Sequence, residues 1–189
     1  MYSAEEWYEL GLRYLKGDGV ELDQPKAVKM FQEAAERGLC AAQFDLGYCY
    51  FGGIGVKTDV VLGLKWYCKA AEQGYVDAQF ELAERYIRGD GVERNLAEAG
   101  RWLRRAADQG LADAQYMLGV GYYNGDTVEQ DLVAAVKWFR RAADQGHGRA
   151  QSVLAGCYMA GIGVERDPDQ GLYWGQRAAE TAKAQGSTL

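Results

Sequence analysis

Two prolines, one histidine and four cysteines are all that 189 residues hold of these types, and each scarcity excludes something. One histidine and four scattered thiols match no zinc spacing, and the lone His147 sits in Gly146-His147-Gly148 with no nucleophile beside it in sequence. It is expected to be a flexible surface residue, with no catalytic, metal or cofactor role. Cys40, Cys49, Cys68 and Cys157 show no Cys-x-x-Cys spacing and are too sparse to staple a chain of this length, so free thiols in a reducing compartment are expected. Apolar runs are short as well: none approaches the roughly 20 residues that cross a bilayer. Glu5, Glu6 and Glu9 stand where a secretory leader would be basic, so a cytoplasmic location is expected. Basic charge is in the minority, 21 Lys and Arg against 27 Asp and Glu for a net charge of -6, which disfavours a phosphate backbone as partner.

What the chain does have is glycine. Its 25 glycines are too many for a helical protein unless they mark positions, and they do. Ala34-Ala35 recurs as Ala70-Ala71, Ala106-Ala107, Ala142-Ala143 and Ala178-Ala179, each pair 36 residues after the last. Gly38, Gly74, Gly110 and Gly146 keep that period, as do Leu10, Leu46, Leu82, Leu118 and Leu154, and Tyr14, Tyr50, Tyr86, Tyr122 and Tyr158. Internal self-similarity of this length is the signature of a stacked repeat.

Within one copy, Ala42, Leu46, Gly47 and Tyr50 fall at helical spacing and end at Gly52-Gly53-Ile54-Gly55, which predicts a first helix with a glycine C-terminus. Asp59, matched by Asp23, Asn95, Asp131 and Asp167, is an N-cap residue for a second helix, and Pro168 directly after Asp167 suits the first helical position. That second helix carries Trp66, Tyr67, Ala70 and Ala71 and stops at Gly74. Small residues at Ala27, Gly63, Ala99, Ala135 and Gly171 permit close approach, with Met30, Trp66, Trp102, Trp138 and Trp174 as the bulky complement. A single hairpin cannot hide its apolar face, so copies must stack. The expected fold is an all-α solenoid, a right-handed superhelix of five helix hairpins over about 3–38, 39–74, 75–110, 111–146 and 147–186, forming one domain.

The run Ala-x-x-x-Leu-Gly-x-x-Tyr, Gly-x-Gly-Val, Asp, Ala or Gly, Trp-Tyr, Ala-Ala and Gly, complete from Ala42 to Gly74, resembles the Sel-one-like repeat family, a tetratricopeptide-like group. The resemblance covers nearly the whole chain. It implies a non-catalytic scaffold or adaptor that holds a protein or peptide, with the first helix of each hairpin lining a concave surface. Local departures exist: Thr127 replaces a loop glycine, Ala83 and Ala155 replace the first-helix glycine, and Gly175 stands where Phe31, Tyr67, Leu103 and Phe139 stand. The fourth loop and the tightness of the last repeat are therefore open at this point. Cysteine-rich members of the family suggest penicillin binding or hydrolysis as one alternative function. An immunity protein that neutralises a secreted effector is another.

On the first helix a second apolar stripe runs beside the packing positions. Its first position reads Tyr8, Phe44, Phe80, Tyr116 and Ser152, and its last reads Leu15, Phe51, Ile87, Tyr123 and Met159. These rings either seal neighbouring helices or floor an open groove for a partner segment. The candidate partner-binding residues are Tyr8, Phe44, Tyr48, Phe51, Phe80, Glu84, Ile87, Tyr116 and Tyr123, rimmed by acids such as Asp45, Glu81 and Asp113. A basic ridge on the second helices, including Lys65, Arg104 and Arg140, is expected to face solvent, with Arg104 pairing Asp108 and Arg140 pairing Asp144 at i,i+4. The glycine loops precede no Lys-Ser/Thr and follow no strand, so they are connectors rather than phosphate cradles. Ser3 and Glu6 form a capping box. After Ala179 the chain is expected to run only through Glu180 to Ala184 before Gly186, with no polar capping helix, which suggests self-association through the C-terminal repeat or further repeats in a longer natural chain.

Overall fold

The computed structural model describes residues 2–186, and these form α-helices joined by short loops, with no strand among the described residues. Two compact units divide the chain, Met1–Arg94 and Asn95–Leu189. The first contains α1 (Ala4–Lys16), α2 (Gln24–Glu36), α3 (Cys40–Gly52), α4 (Val60–Glu72) and α5 (Val76–Arg88). The second contains α6 (Leu96–Asp108), α7 (Ala112–Asn124), α8 (Leu132–Asp144), α9 (Gly148–Ala160) and α10 (Pro168–Ala184). Within each unit every helix packs on the next in sequence.

Odd-numbered helices stop where a glycine turns left-handed. Gly17 and Gly53, with φ of 73° and 67°, return their N–H groups to the carbonyls of Arg13 and Cys49, a conformation that a Cβ would strain. Even-numbered helices begin where the side chain of Asp23, Asp59, Asn95, Asp131 or Asp167 accepts a backbone N–H three residues on. The same cap residues tie the hairpin shut. The Asp59 N–H donates to the Tyr50 carbonyl at 3.0 Å, and Asp23, Asp131 and Asp167 do likewise to Tyr14, Tyr122 and Tyr158. A terminal carbonyl of one helix thus meets an orphan donor before the next.

Close packing within a hairpin depends on one glycine facing one ring. A Cβ on Gly11, Gly47 or Gly119 would lie 2.6 Å from the ring of Phe31, Tyr67 or Phe139 respectively. The alanine pairs from Ala34-Ala35 to Ala142-Ala143, with Leu46, Leu82, Leu118 and Leu154, complete the buried interior. At the last hairpin the pairing is reversed: Ala155 stands on α9 and Gly175 on α10, where nothing lies within 4 Å of an added Cβ. With Ser152 in place of a ring as well, an open hollow of about 590 Å³ remains, lined mainly by small residues such as Ala155, Gly175, Ala178 and Ala182. The looseness that the sequence left open is present.

The fourth loop keeps its course by local compensation. Thr127 avoids positive φ, and its carbonyl and hydroxyl occupy space that a Cβ on Gly100 or Gly121 would need. Two glycines off the repeat pattern thereby make room for one missing from it.

Two expectations require correction. His147 is half-buried and caps α9, its Nδ1 accepting the Ala150 N–H at 3.0 Å and its Nε2 lying 3.1 Å from Asp113. It is therefore not a flexible surface group. Arg104 donates to the Tyr122 hydroxyl and lies 5.3 Å from the Tyr122 and Trp138 ring centres. Arg140 lies over Tyr158. These guanidinium groups settle on rings, in place of the expected ion pairs to Asp108 and Asp144. Lys69, Arg105 and Arg141 cover Trp66, Trp102 and Trp138 in the same way, so cation–π contacts organise the basic ridge. After Ala179, α10 continues to Ala184 as the sequence suggests, 17 residues where the other helices have 13, and no further helix follows among the described residues.

Candidate interaction surface

The odd-numbered helices carry the aromatic stripe, and their packing divides it into a floor and its tips. Tyr8, Phe44 and Tyr116 lie 5.6, 5.0 and 5.9 Å from Phe31, Tyr67 and Phe139, the rings admitted by the helix glycines. Phe44 is also flanked by Tyr75 at 5.3 Å, and Tyr116 stacks on His147 at 4.7 Å. Both flanking groups are the residue before the next odd-numbered helix. Tyr8, Phe44, Phe51, Phe80, Ile87 and Tyr116 are all half-buried. Tyr48 and Tyr123 are different: they are 57% and 37% exposed.

In the first unit this surface is acidic and partly dehydrated. The Tyr8 hydroxyl donates to the Asp45 carboxylate at 2.8 Å. Burial nevertheless pushes the Asp45 carboxyl above its ordinary range, because desolvation outweighs that hydrogen bond. Burial raises Glu81 too, partly offset by the guanidinium of Arg85. Arg85 lies across the Phe51 ring, 3.4 Å from its centre and 5.6 Å from that of Tyr67. Its guanidinium stands 3.9 Å from Glu81. One turn on, Arg88 pairs with the half-buried Glu84.

In the second unit the corresponding surface is apolar. Val120 and Tyr123 on α7, Phe139 on α8 and Val153 on α9 line an open recess of about 270 Å³. No carboxylate or cation borders it among these lining residues.

A column of glutamines carries structural weight that the apolar pattern does not reveal. Gln43, Gln79, Gln115 and Gln151 are buried on the odd-numbered helices, and each side-chain amide donates to the carbonyl of the second alanine of the preceding helix, at 3.1 to 3.2 Å. Gln73, Gln145 and Thr181 donate in turn to the side-chain oxygens of Gln43, Gln115 and Gln151. The signal was in the sequence: a polar residue keeping the 36-residue period directly beside an invariant alanine. Such a residue is periodic because its partner is a backbone group repeated at the same place.

The four cysteines are free thiols, and burial raises the Cys49 thiol to about 11. Among the described residues no group of three or more His, Cys, Asp or Glu side chains is placed to hold a metal. No described helix is long and apolar enough to cross a membrane.

The Sel1 repeat model matches residues 8–39, 40–75, 76–111, 112–147 and 148–180. A protective antigen of uropathogenic Escherichia coli with an SLR fold is 38% identical and superposes with a TM-score of 0.91, covering 95% of this chain and 38% of that one. A Sel1 repeat protein from Oxalobacter formigenes is 36% identical with a TM-score of 0.89, covering 94% of this chain and 73% of its own. Cysteine rich protein B of Helicobacter pylori is 26% identical over 68% of this chain and 96% of its own, with a TM-score of 0.50. This chain thus spans well under half the length of the E. coli antigen. No curated protein matches it at a significant level.

Proposed function

The chain belongs to the Sel1 repeat family, whose repeats are typically protein-interaction modules, and we propose that this member is a non-catalytic scaffold that binds a protein or peptide on the outer face of its odd-numbered helices. One observation supports the reading above others: the frame repeats and the outer face does not. Frame positions hold Gln43, Gln79, Gln115 and Gln151, or Leu46, Leu82, Leu118 and Leu154, while the adjoining outer position reads Leu12, Tyr48, Glu84, Val120 and Gly156. At these frame positions packing keeps one residue type through the last four copies. An outer face that changes from copy to copy, and leaves Tyr48 and Tyr123 in solvent, answers to something outside the chain. Tyrosines of this kind, apolar in body and polar at the tip, suit a surface that a partner covers.

The test is a double variant, Tyr48→Ala with Tyr123→Ala. Both rings are exposed, so the helical circular dichroism signal should be unchanged. A partner retained by the wild-type chain from a native lysate should be lost by the variant. Equal retention of that partner by both proteins would overturn the assignment of this face.

A further inference from the structure

The recess in the second unit has a counterpart two repeats earlier in the chain. Val120, Tyr123, Phe139, Val153 and Cys157 occupy the repeat positions of Tyr48, Phe51, Tyr67, Glu81 and Arg85. The two sets share a floor of two rings, one from each helix of a hairpin, and a wall from the odd-numbered helix that follows. They differ in what fills the space. In the first unit Arg85 lies over Phe51 and Tyr67 with its charge facing Glu81. In the second unit Cys157 is buried and too short to reach across the rings, Val153 has replaced the carboxylate, and the space stays open.

We infer that the recess of Val120, Tyr123, Phe139 and Val153 is an anchor socket for one large uncharged apolar side chain, of the leucine, methionine or phenylalanine kind, presented by a partner polypeptide. The inference rests on the scaffold reading above and names what its second unit grips. The chain itself shows that a side chain of arginine length fits this frame. The charge is what changes: a guanidinium moved onto two rings loses water, and in the first unit Glu81 offsets that loss. With Val153 in that place the carboxylate is gone and the lining is Val120, Tyr123, Phe139 and Val153, so an uncharged apolar group is buried there without the dehydration cost that a charge carries. Its volume is about 270 Å³, room for one large side chain. Buried anchors seated in such pockets dominate the energy of polypeptide interfaces.

The experiment pans a phage library of random short peptides over the whole chain, then measures one selected peptide in synthetic form. Selected peptides should share a large apolar residue at one position, and alanine there should weaken binding about tenfold or more. Cys157→Arg, which restores the plug of the first unit, should remove binding. Val153→Glu places a carboxylate at a half-buried position that Glu81 occupies in the earlier hairpin. It should weaken the apolar peptide and favour its arginine-substituted form, and it serves as the test if Cys157→Arg does not fold. A pool without a common apolar residue, or a peptide indifferent to both variants, overturns the socket. Peptides lost on Tyr48→Ala but retained by both socket variants overturn it too, while leaving the scaffold reading standing.

Discussion

The side-chain amide of Gln43 donates to the main-chain carbonyl of Ala35 at 3.1 Å, crossing from the first helix of one hairpin to the last turn of the hairpin before. That carbonyl belongs to the final turn of a helix, where it has no intrahelical donor and accepts the Gly38 N–H at 3.1 Å. The glutamine supplies a second donor and is itself held by Gln73, whose amide donates to its oxygen at 2.7 Å. Stacking of neighbouring repeats is therefore registered by hydrogen bonds as well as by alanine and leucine packing. A sliding of one hairpin along the next would leave buried polar groups unmatched.

Gln151→Leu should destabilise the second unit by about 1 kcal/mol, because the Ala143 carbonyl keeps the Gly146 N–H but loses its second donor, and the Thr181 hydroxyl loses its acceptor. Gln151 is fully buried and bonded to Ala143 and Thr181. Urea denaturation is the measurement, with exposed Ser152→Ala as a control expected to change little.

Glycine substitutions should separate by what the new methyl group meets. Gly47→Ala places a Cβ 2.6 Å from the Tyr67 ring and should cost about 1–3 kcal/mol through overpacking. Gly156→Ala, on a helix with nothing within 4 Å, should gain about 0.5–1 kcal/mol from the lost freedom of the unfolded chain. Thermal melts of the two variants should shift in opposite directions.

Asp45 should make the chain less stable at neutral pH than it would be with a neutral side chain there. Its carboxyl is raised in the folded state by burial, so the stability associated with its proton is present below the ordinary carboxylate range. That stability is lost as pH rises through the folded value. Asp45→Asn keeps an oxygen to accept from Tyr8 and removes the charge. Urea midpoints should rise for this variant at neutral pH and converge on the wild type in acid. A lower midpoint at neutral pH would show that the ionised pair with Tyr8 is net favourable.

Gly175→Leu should fill part of the hollow between α9 and α10, where no atom lies within 4 Å of the added Cβ. The third copy carries the same combination in its sequence, Ala83 with Leu103 at the positions of Ala155 and Gly175. Cavity filling of this kind commonly adds about 0.5–2 kcal/mol. Calorimetry should show a higher melting temperature, whereas an unchanged one would mean the leucine stays in solvent.

Most of the architecture is legible without coordinates because each of its determinants is local. Helix starts at Asp23, Asp59, Asn95, Asp131 and Asp167, stops at the loop glycines, and the alternation of small and large residues all follow from backbone sterics and capping, which act within a few residues. Repetition multiplies those local rules into a solenoid. The departures were legible as departures, but their remedies were not: that Gly100 and Gly121 make room for Thr127 depends on which atoms meet across helices.

Tertiary structure alone decided how the aromatic stripe divides, what His147 does, and whether each ring pair is plugged or open. The sequence placed Phe44, Phe51, Tyr48 and Tyr123 on one helical surface by periodicity. It could not show that Phe44 and Phe51 pack against Tyr67 while Tyr48 and Tyr123 stand in solvent. Burial of a side chain is set by neighbours distant in the chain, and a guanidinium such as Arg85 chooses between a carboxylate and a ring only when packing brings both within reach.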